Sequence, residues 1–228
     1  MIKVKPVTAY TESRTTVMSV GIFVRSFFIR EFNRIAVTEG GFAYLFYAVF
    51  HFVFFAQVRP EKGIDTLAKA ALVLNSEGLG GRFDIDVYGR VVDDYEAEFY
   101  RLVNCVPNMA YKGVIDSTSF NIYAVLNQYD VAVSSSSWQE GMSGSNVECK
   151  FAGIANIVSD AGFNSECVHD GADGLLVKPR DVESLTKAMR SVIECRELLE
   201  RLKRGSWKSR VGYDVATWKQ EVLDVVCE

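Results

Sequence analysis

From residue 50 onward, short apolar runs alternate with stretches in which apolar residues recur every three or four positions. The runs predict strands over 50–56, 83–88, 109–112, 130–134, 154–158 and 174–177. The intervening stretches predict helices over 63–75, 93–104, 119–128, 145–152 and 182–194, the first turning Ile64, Leu67, Ala71 and Leu74 inward. Near-continuous apolar strands separated by helices predict an α/β fold, a doubly wound, mostly parallel sheet covered on both faces. Before residue 50 the pattern differs. Over 20–37, Val24, Phe28, Phe32 and Ile35 share one helical face and Ser26, Arg30, Asn33 and Arg34 the opposite one, a short N-terminal helical appendage with a basic back. That helix reads either as docking on an anionic membrane or a partner, with Phe23 and Phe27 assisting, or as packing on its own domain. Glu39-Gly40-Gly41 ends it. The uncharged stretch 42–58 is short for a spanning helix and contains His51 and Gln57, so it reads as an apolar connector and a buried strand. Val215, Trp218, Val222 and Val225 predict a final helix over 213–226. The division is therefore an appendage over 1–49 and a Rossmann-like domain over 50–228.

Charge sharpens that division. Residues 1–49 carry six Lys/Arg against three Glu, net +3, so a whole-chain charge of -4 leaves -7 for the rest. An acidic main domain excludes a nucleic-acid surface, which needs clustered cations to displace counterions. Five scattered cysteines without a C-x-x-C pair fit neither a disulfide framework nor a zinc site and read as reduced and buried. Lys3 and Lys5 followed by polar residues do not form a secretory signal. The expectation is a cytoplasmic protein, peripheral at a membrane in the docking reading of 20–37.

In an open α/β sheet, ligands bind beyond the carboxyl ends of the strands, at the switch point. Four such ends hold unusual polar residues. Gln57-Val58-Arg59-Pro60-Glu61-Lys62-Gly63 sets two cations, Arg59 and Lys62, beside a helix start, a combination suited to phosphate. Gly89 and Arg90 follow the second strand. Glu140-Gly141-Met142-Ser143-Gly144-Ser145 leads from the fourth strand into a helix carrying Glu148, whose first amides and dipole favour an anion. Asp160-Ala161-Gly162 forms a further tight turn. Each is also consistent with a solvated βα turn. Gly78-Leu79-Gly80-Gly81 precedes a strand instead of following one and so is no dinucleotide fingerprint. His51, inside the first strand, and His169, before a turn, carry no catalytic expectation.

The ordered motifs R-P-E-K-G, Gly89, Tyr129-Asp130-Val131, E-G-x4-N-V-E-x-K-x-A-G from Glu140 to Gly153, Ser159-Asp160-Ala161-Gly162 and Asp170-Gly171-Ala172-Asp173-Gly174-Leu175-Leu176-Val177 resemble the donor-binding, C-terminal half of GT-B retaining glycosyltransferases. The similar group is family 4, with its Glu-x7-Glu signature, and the resemblance spans about residues 50 to 205. It implies that Lys62 binds the donor diphosphate, that Glu140 contacts the donor sugar, and that Glu148 holds the ribose hydroxyls. It also implies that Met142, Ser143 and Gly144 cradle the phosphates, with Arg59, Gly89, Arg90 and Gly162 lining the donor site. The implied reaction is transfer of a sugar from a UDP- or GDP-linked donor to an acceptor hydroxyl with retention, without metal or other cofactor.

The chain departs from the family pattern in four places. Ala56-Gln57 stands where Gly-Arg is usual, with Arg59 or Arg90 as the available substitutes. Met142-Ser143 replaces an aromatic-glycine pair, and Gly162-Phe163 a glycine pair. Only 49 residues precede the domain, where an acceptor-binding domain of similar size is expected. Two readings follow: the donor half of a transferase working with a separate acceptor-binding chain or domain, or a non-catalytic nucleotide-sugar-binding module.

Overall fold

The computed structural model of the chain describes residues 35–39, 42–46, 49–115, 122–139, 141–213 and 219. β1 (Ile35–Glu39) pairs antiparallel with β2 (Phe42–Phe46), Glu39 opposite Phe42. Residues 35–37, expected at the end of the helix over 20–37, are therefore strand. The β-branched Ile35, Val37 and Thr38 beside Gly40-Gly41 form a hairpin signal that outweighs the helical stripe. Residues 20–34, and the membrane contact expected of them, lie outside the described residues. So does the helix over 213–226, except Tyr213, which closes a 3-10 turn (Arg210–Tyr213), and the helical Lys219.

The main unit alternates β3 (Phe50–Phe55), α1 (Ile64–Ser76), β4 (Phe83–Tyr88), α2 (Glu96–Asn104), β5 (Met109–Gly113), α3 (Ile122–Leu126), β6 (Val131–Ser134), α4 (Gly144–Phe151), β7 (Ala155–Ser159), α5 (Asn164–Cys167), β8 (Gly174–Val177), α6 (Val182–Glu194) and α7 (Arg196–Ser209). Its sheet has six strands, all parallel, in the order β5-β4-β3-β6-β7-β8. The chain winds outward from β3 to β5, then returns to the centre at β6 and winds the other way, which is the doubly wound Rossmann order. The switch point lies between β3 and β6.

Phe50, Phe52 and Phe54 of β3 are buried on one face against α1 and α6, whose Leu67, Ala71, Leu74, Leu185 and Met189 are fully enclosed. The inward residues expected of α1 are all buried. The opposite face holds a smaller core of Val53, Leu126, Ala132, Cys149 and Ile154 under α3 and α4. β4 departs from the continuous apolar pattern: Phe83, Ile85 and Val87 are buried while Asp84, Asp86 and Tyr88 are half-buried on the second face. There Tyr129 donates its hydroxyl to Asp86 at 2.9 Å, and His51 Nδ1 lies 2.7 Å from Asp84. That carboxylate raises the His51 pKa against the opposing effect of burial. His51 is thus a paired residue near the start of β3, remote from the strand's carboxyl end.

Sequence periodicity left α7 unread, because only Leu199 and Leu202 among its residues form a buried apolar pair in an otherwise charged stretch. The four described cysteines are free; Cys149 and Cys167 are buried as expected but Cys105 and Cys195 are exposed, and Cys227 lies outside the described residues. Among the described residues no helix is long and apolar enough to cross a membrane.

Candidate functional site

The loop leaving β3 runs alongside the loop leaving β4. Val58 forms a parallel bridge with Val91, its amide donating to the Arg90 carbonyl at 2.9 Å. Gly89 is what permits this approach: a Cβ there would stand 1.7 Å from the Ala56 carbonyl oxygen, and its φ of 142° is one that side chains rarely adopt. Gly89 therefore has a packing reason for being glycine at this position. Arg90 is exposed.

Beyond Val58 the chain makes a 3-10 turn, Pro60–Lys62, that ends on Gly63 in the left-handed region, φ 72° and ψ 26°. The turn is tied to the loop leaving β6, across the switch point. Ser137 donates its amide to the Glu61 carbonyl at 2.8 Å, the Ser135 hydroxyl donates to the Gly63 carbonyl at 2.8 Å, and the Ser136 hydroxyl reaches the Glu61 carbonyl at 3.2 Å. Ser135 and Ser136 are buried. Lys62, half-buried, is held at this seam by its backbone. Arg59 is exposed and its Nε donates to Glu61 at 2.9 Å, so this substitute cation is already engaged by a carboxylate.

The β6 loop continues through the exposed Met142 to α4. Ser143 is the N-cap residue, yet its side chain does not cap the helix; its hydroxyl lies 3.0 Å from that of Ser145. The first amides of α4, starting at the exposed Gly144, are thus without a side-chain acceptor from the cap, leaving the positive end of the helix open to an anion. One turn on, Glu148 is half-buried, and no hydrogen bond or ion pair from the described residues reaches its carboxylate. Burial pushes its pKa up. Glu140 lies outside the described residues.

The start of α4 is fixed to the next loop by an amide pair: Asn146, the N of the N-V-E motif, and Asn164, which no sequence motif marked. Buried Asn146 donates from Nδ2 to Asn164 Oδ1 at 3.2 Å, and fully enclosed Asn164 donates to the Ser159 carbonyl at 2.9 Å. Gly162, φ 60°, turns the chain within that loop, and the neighbouring Phe163 is exposed rather than folded inward. The end of α4 is fixed by Lys150, fully buried, whose Nζ donates to Asp173 at 2.8 Å and to Ser209 at 2.7 Å. The serine run 134–137 and the K of E-x-K-x-A-G were the available signals for these anchors.

The structure therefore gathers Arg59, Lys62, Gly89, Arg90, Met142, Ser143, Gly144 and Gly162 at the carboxyl edge of the sheet, with Glu148 on the helix that starts there. Among the described residues no group of three or more His, Cys, Asp or Glu side chains is placed to hold a metal ion.

Comparison with known proteins gives these elements a context. A family model described as glycosyl transferases group 1 matches residues 49–208. No curated protein matches the sequence. HepE from Anabaena, solved in complex with UDP, superposes with a TM-score of 0.67 at 18% identity, covering 78% of this chain and 49% of HepE. The C-terminal domain of the glycosyl transferase group 1 protein LpcC from Francisella tularensis gives a TM-score of 0.63 at 21% identity, covering 73% of this chain and 87% of that domain. The pneumococcal O-GlcNAc transferase GtfA, solved with UDP and GlcNAc, gives 0.61 at 21% identity, covering 78% of this chain and 36% of GtfA. The chain thus spans about half the length of HepE.

Proposed function

This chain belongs to the glycosyl transferases group 1 family, and from that premise we propose that it is the donor-binding half of a retaining, metal-independent glycosyltransferase with the Glu-x7-Glu signature of family 4. The observation that carries the proposal is Glu148, a half-buried carboxylate with no partner among the described residues, one turn into a helix that its N-cap residue Ser143 does not cap with its side chain. An anionic diphosphate at the helix start and two ribose hydroxyls donating to Glu148 would satisfy both groups at once. In this reading Lys62 neutralises the diphosphate, and Met142, Ser143 and Gly144 close over it. Glu140 contacts the donor sugar, while Gly89, Arg90, Arg59 and Gly162 line the surrounding loops. The chemistry asked of these residues is chiefly charge stabilisation of the departing diphosphate by a cation and fixed amides. HepE has been solved with UDP-glucose, so UDP-sugars are the first donors to examine.

Thermal unfolding of the chain with UDP- and GDP-sugars is the decisive measurement. A ligand at 100 times its dissociation constant adds about 2.7 kcal/mol. We expect stabilisation by one nucleotide class and its loss in Glu148→Ala. The absence of a shift with every donor, or an equal shift in the variant, would remove the proposal. A transfer assay on the same chain, with and without a supplied acceptor-binding half, separates a transferase half from a binding module.

A further inference from the structure

The outer face of α7 has no part in the site above. Its inner face packs through Leu199, Leu202 and Ser206, the Ser206 hydroxyl donating to the Ile154 carbonyl at 2.8 Å. Outward, at helical spacing, stand Arg201, Arg204, Trp207 and Lys208, all exposed, followed by exposed Val211. Between residues 201 and 213 the sequence has five Lys/Arg and no Asp or Glu, in a chain whose net charge is -4. Lys203 turns inward to Asp130 at 3.4 Å, but Arg201, Arg204 and Lys208 make no ion pair with any described residue. Trp207 is 48% exposed, the Arg210 guanidinium lies 3.4 Å from its ring centroid, and Arg210 also donates to the Trp207 carbonyl.

We infer that this face of α7 docks the protein on an anionic lipid bilayer, with Arg201, Arg204 and Lys208 against the headgroups and Trp207 and Val211 at the interface. Clustered cations without intervening acids are drawn to the negative surface potential of such a membrane, and an amphipathic indole is the side chain that settles at headgroup depth. A nucleic acid is a poorer fit, because Arg210 covers one face of the ring that a base would stack on. A second copy would set like charges against like. The place of the patch also fits. A Cβ on Gly153, in the turn entering β7, would lie 3.6 Å from Trp207. Trp207 thus sits at the amino edge of the sheet, opposite the loops proposed to hold the donor, so docking leaves them uncovered.

Co-sedimentation with phosphatidylcholine vesicles, with and without phosphatidylserine, tests this. We expect binding only to the anionic vesicles, falling as salt is raised, and a blue shift of tryptophan emission that Trp207→Phe removes. The triple variant Arg201→Glu, Arg204→Glu, Lys208→Glu should lose about tenfold or more of the partitioning. Its melting temperature should be unchanged because the altered side chains are exposed, and a milder triple change to Gln gives an intermediate loss. Equal binding to neutral vesicles, unaltered binding by the triple variant, or loss of binding only on Arg25→Glu, Arg30→Glu, Arg34→Glu would overturn the inference.

Discussion

Lys150→Met replaces a fully buried ammonium with a side chain of similar length and no charge. In the wild type the Nζ donates to Asp173 and Ser209, and Asp173, only 3% exposed, also accepts the His169 amide at 2.7 Å. Removing one partner of a buried ion pair leaves the other charge unpaired, at a cost of about 3–5 kcal/mol. For a domain of this size that corresponds to a fall of roughly ten degrees or more in melting temperature. Asp173→Asn keeps an acceptor for the His169 amide and should cost less than Lys150→Met, and the double variant should cost clearly less than the sum, by about 1–3 kcal/mol of coupling. The pH dependence has a defined sign. Burial pushes the Asp173 carboxyl up, but the Lys150 and His169 hydrogen bonds and the Lys150 charge outweigh it and hold its pKa below the usual value. Its stabilising contribution is therefore full above the unfolded value, about 3.9, and is lost as pH falls through the lower folded value. In Lys150→Met, only the His169 hydrogen bonds are left to oppose burial, so that pKa rises and the variant recovers as acid neutralises Asp173. The gap between wild type and variant, measured by calorimetry from pH 7 downward, should narrow. A loss below about 1 kcal/mol, strict additivity, or a gap that widens in acid would refute the reasoning.

Gly63→Ala should both destabilise the protein and weaken nucleotide-sugar binding. A Cβ there stands 1.9 Å from the Ser135 carbonyl oxygen in a left-handed backbone that itself costs about 1–3 kcal/mol for other residues, so the two loops that position Lys62 are forced apart. Gly144→Ala, where a Cβ meets nothing within 4 Å, should leave the unfolding curve in place; equal losses in the two variants would sink the argument. Glu148→Gln should stabilise the unliganded chain at neutral pH while abolishing donor binding. The folded-state pKa is raised by burial, so the wild type is penalised progressively as pH rises from the unfolded value to the folded one and fully above it, and the advantage of Gln should vanish below about pH 4. A destabilised variant at pH 7 would contradict it.

The strand-helix alternation, the inward stripe of α1 and the loops that hold polar residues are legible in the residue order alone. These are properties of near neighbours: a period of 2 or 3.6, a turn glycine, a run of apolar residues. The same local logic failed where two signals competed, as at Ile35–Glu39, and where a helix buries little, as in α7, whose docking rests on neighbours distant in sequence. Which loops meet is settled by contacts between residues far apart in the chain. Ser135 caps the Gly63 carbonyl from 72 residues away and Lys150 reaches Ser209 across 59. Gly89 is required by the carbonyl of Ala56 on the adjacent strand's exit. No local pattern encodes such pairs, because they exist only once the chain has returned from β5 to lay β6 beside β3. That crossover sets the turn carrying Lys62 against the loop that leads into the helix of Glu148.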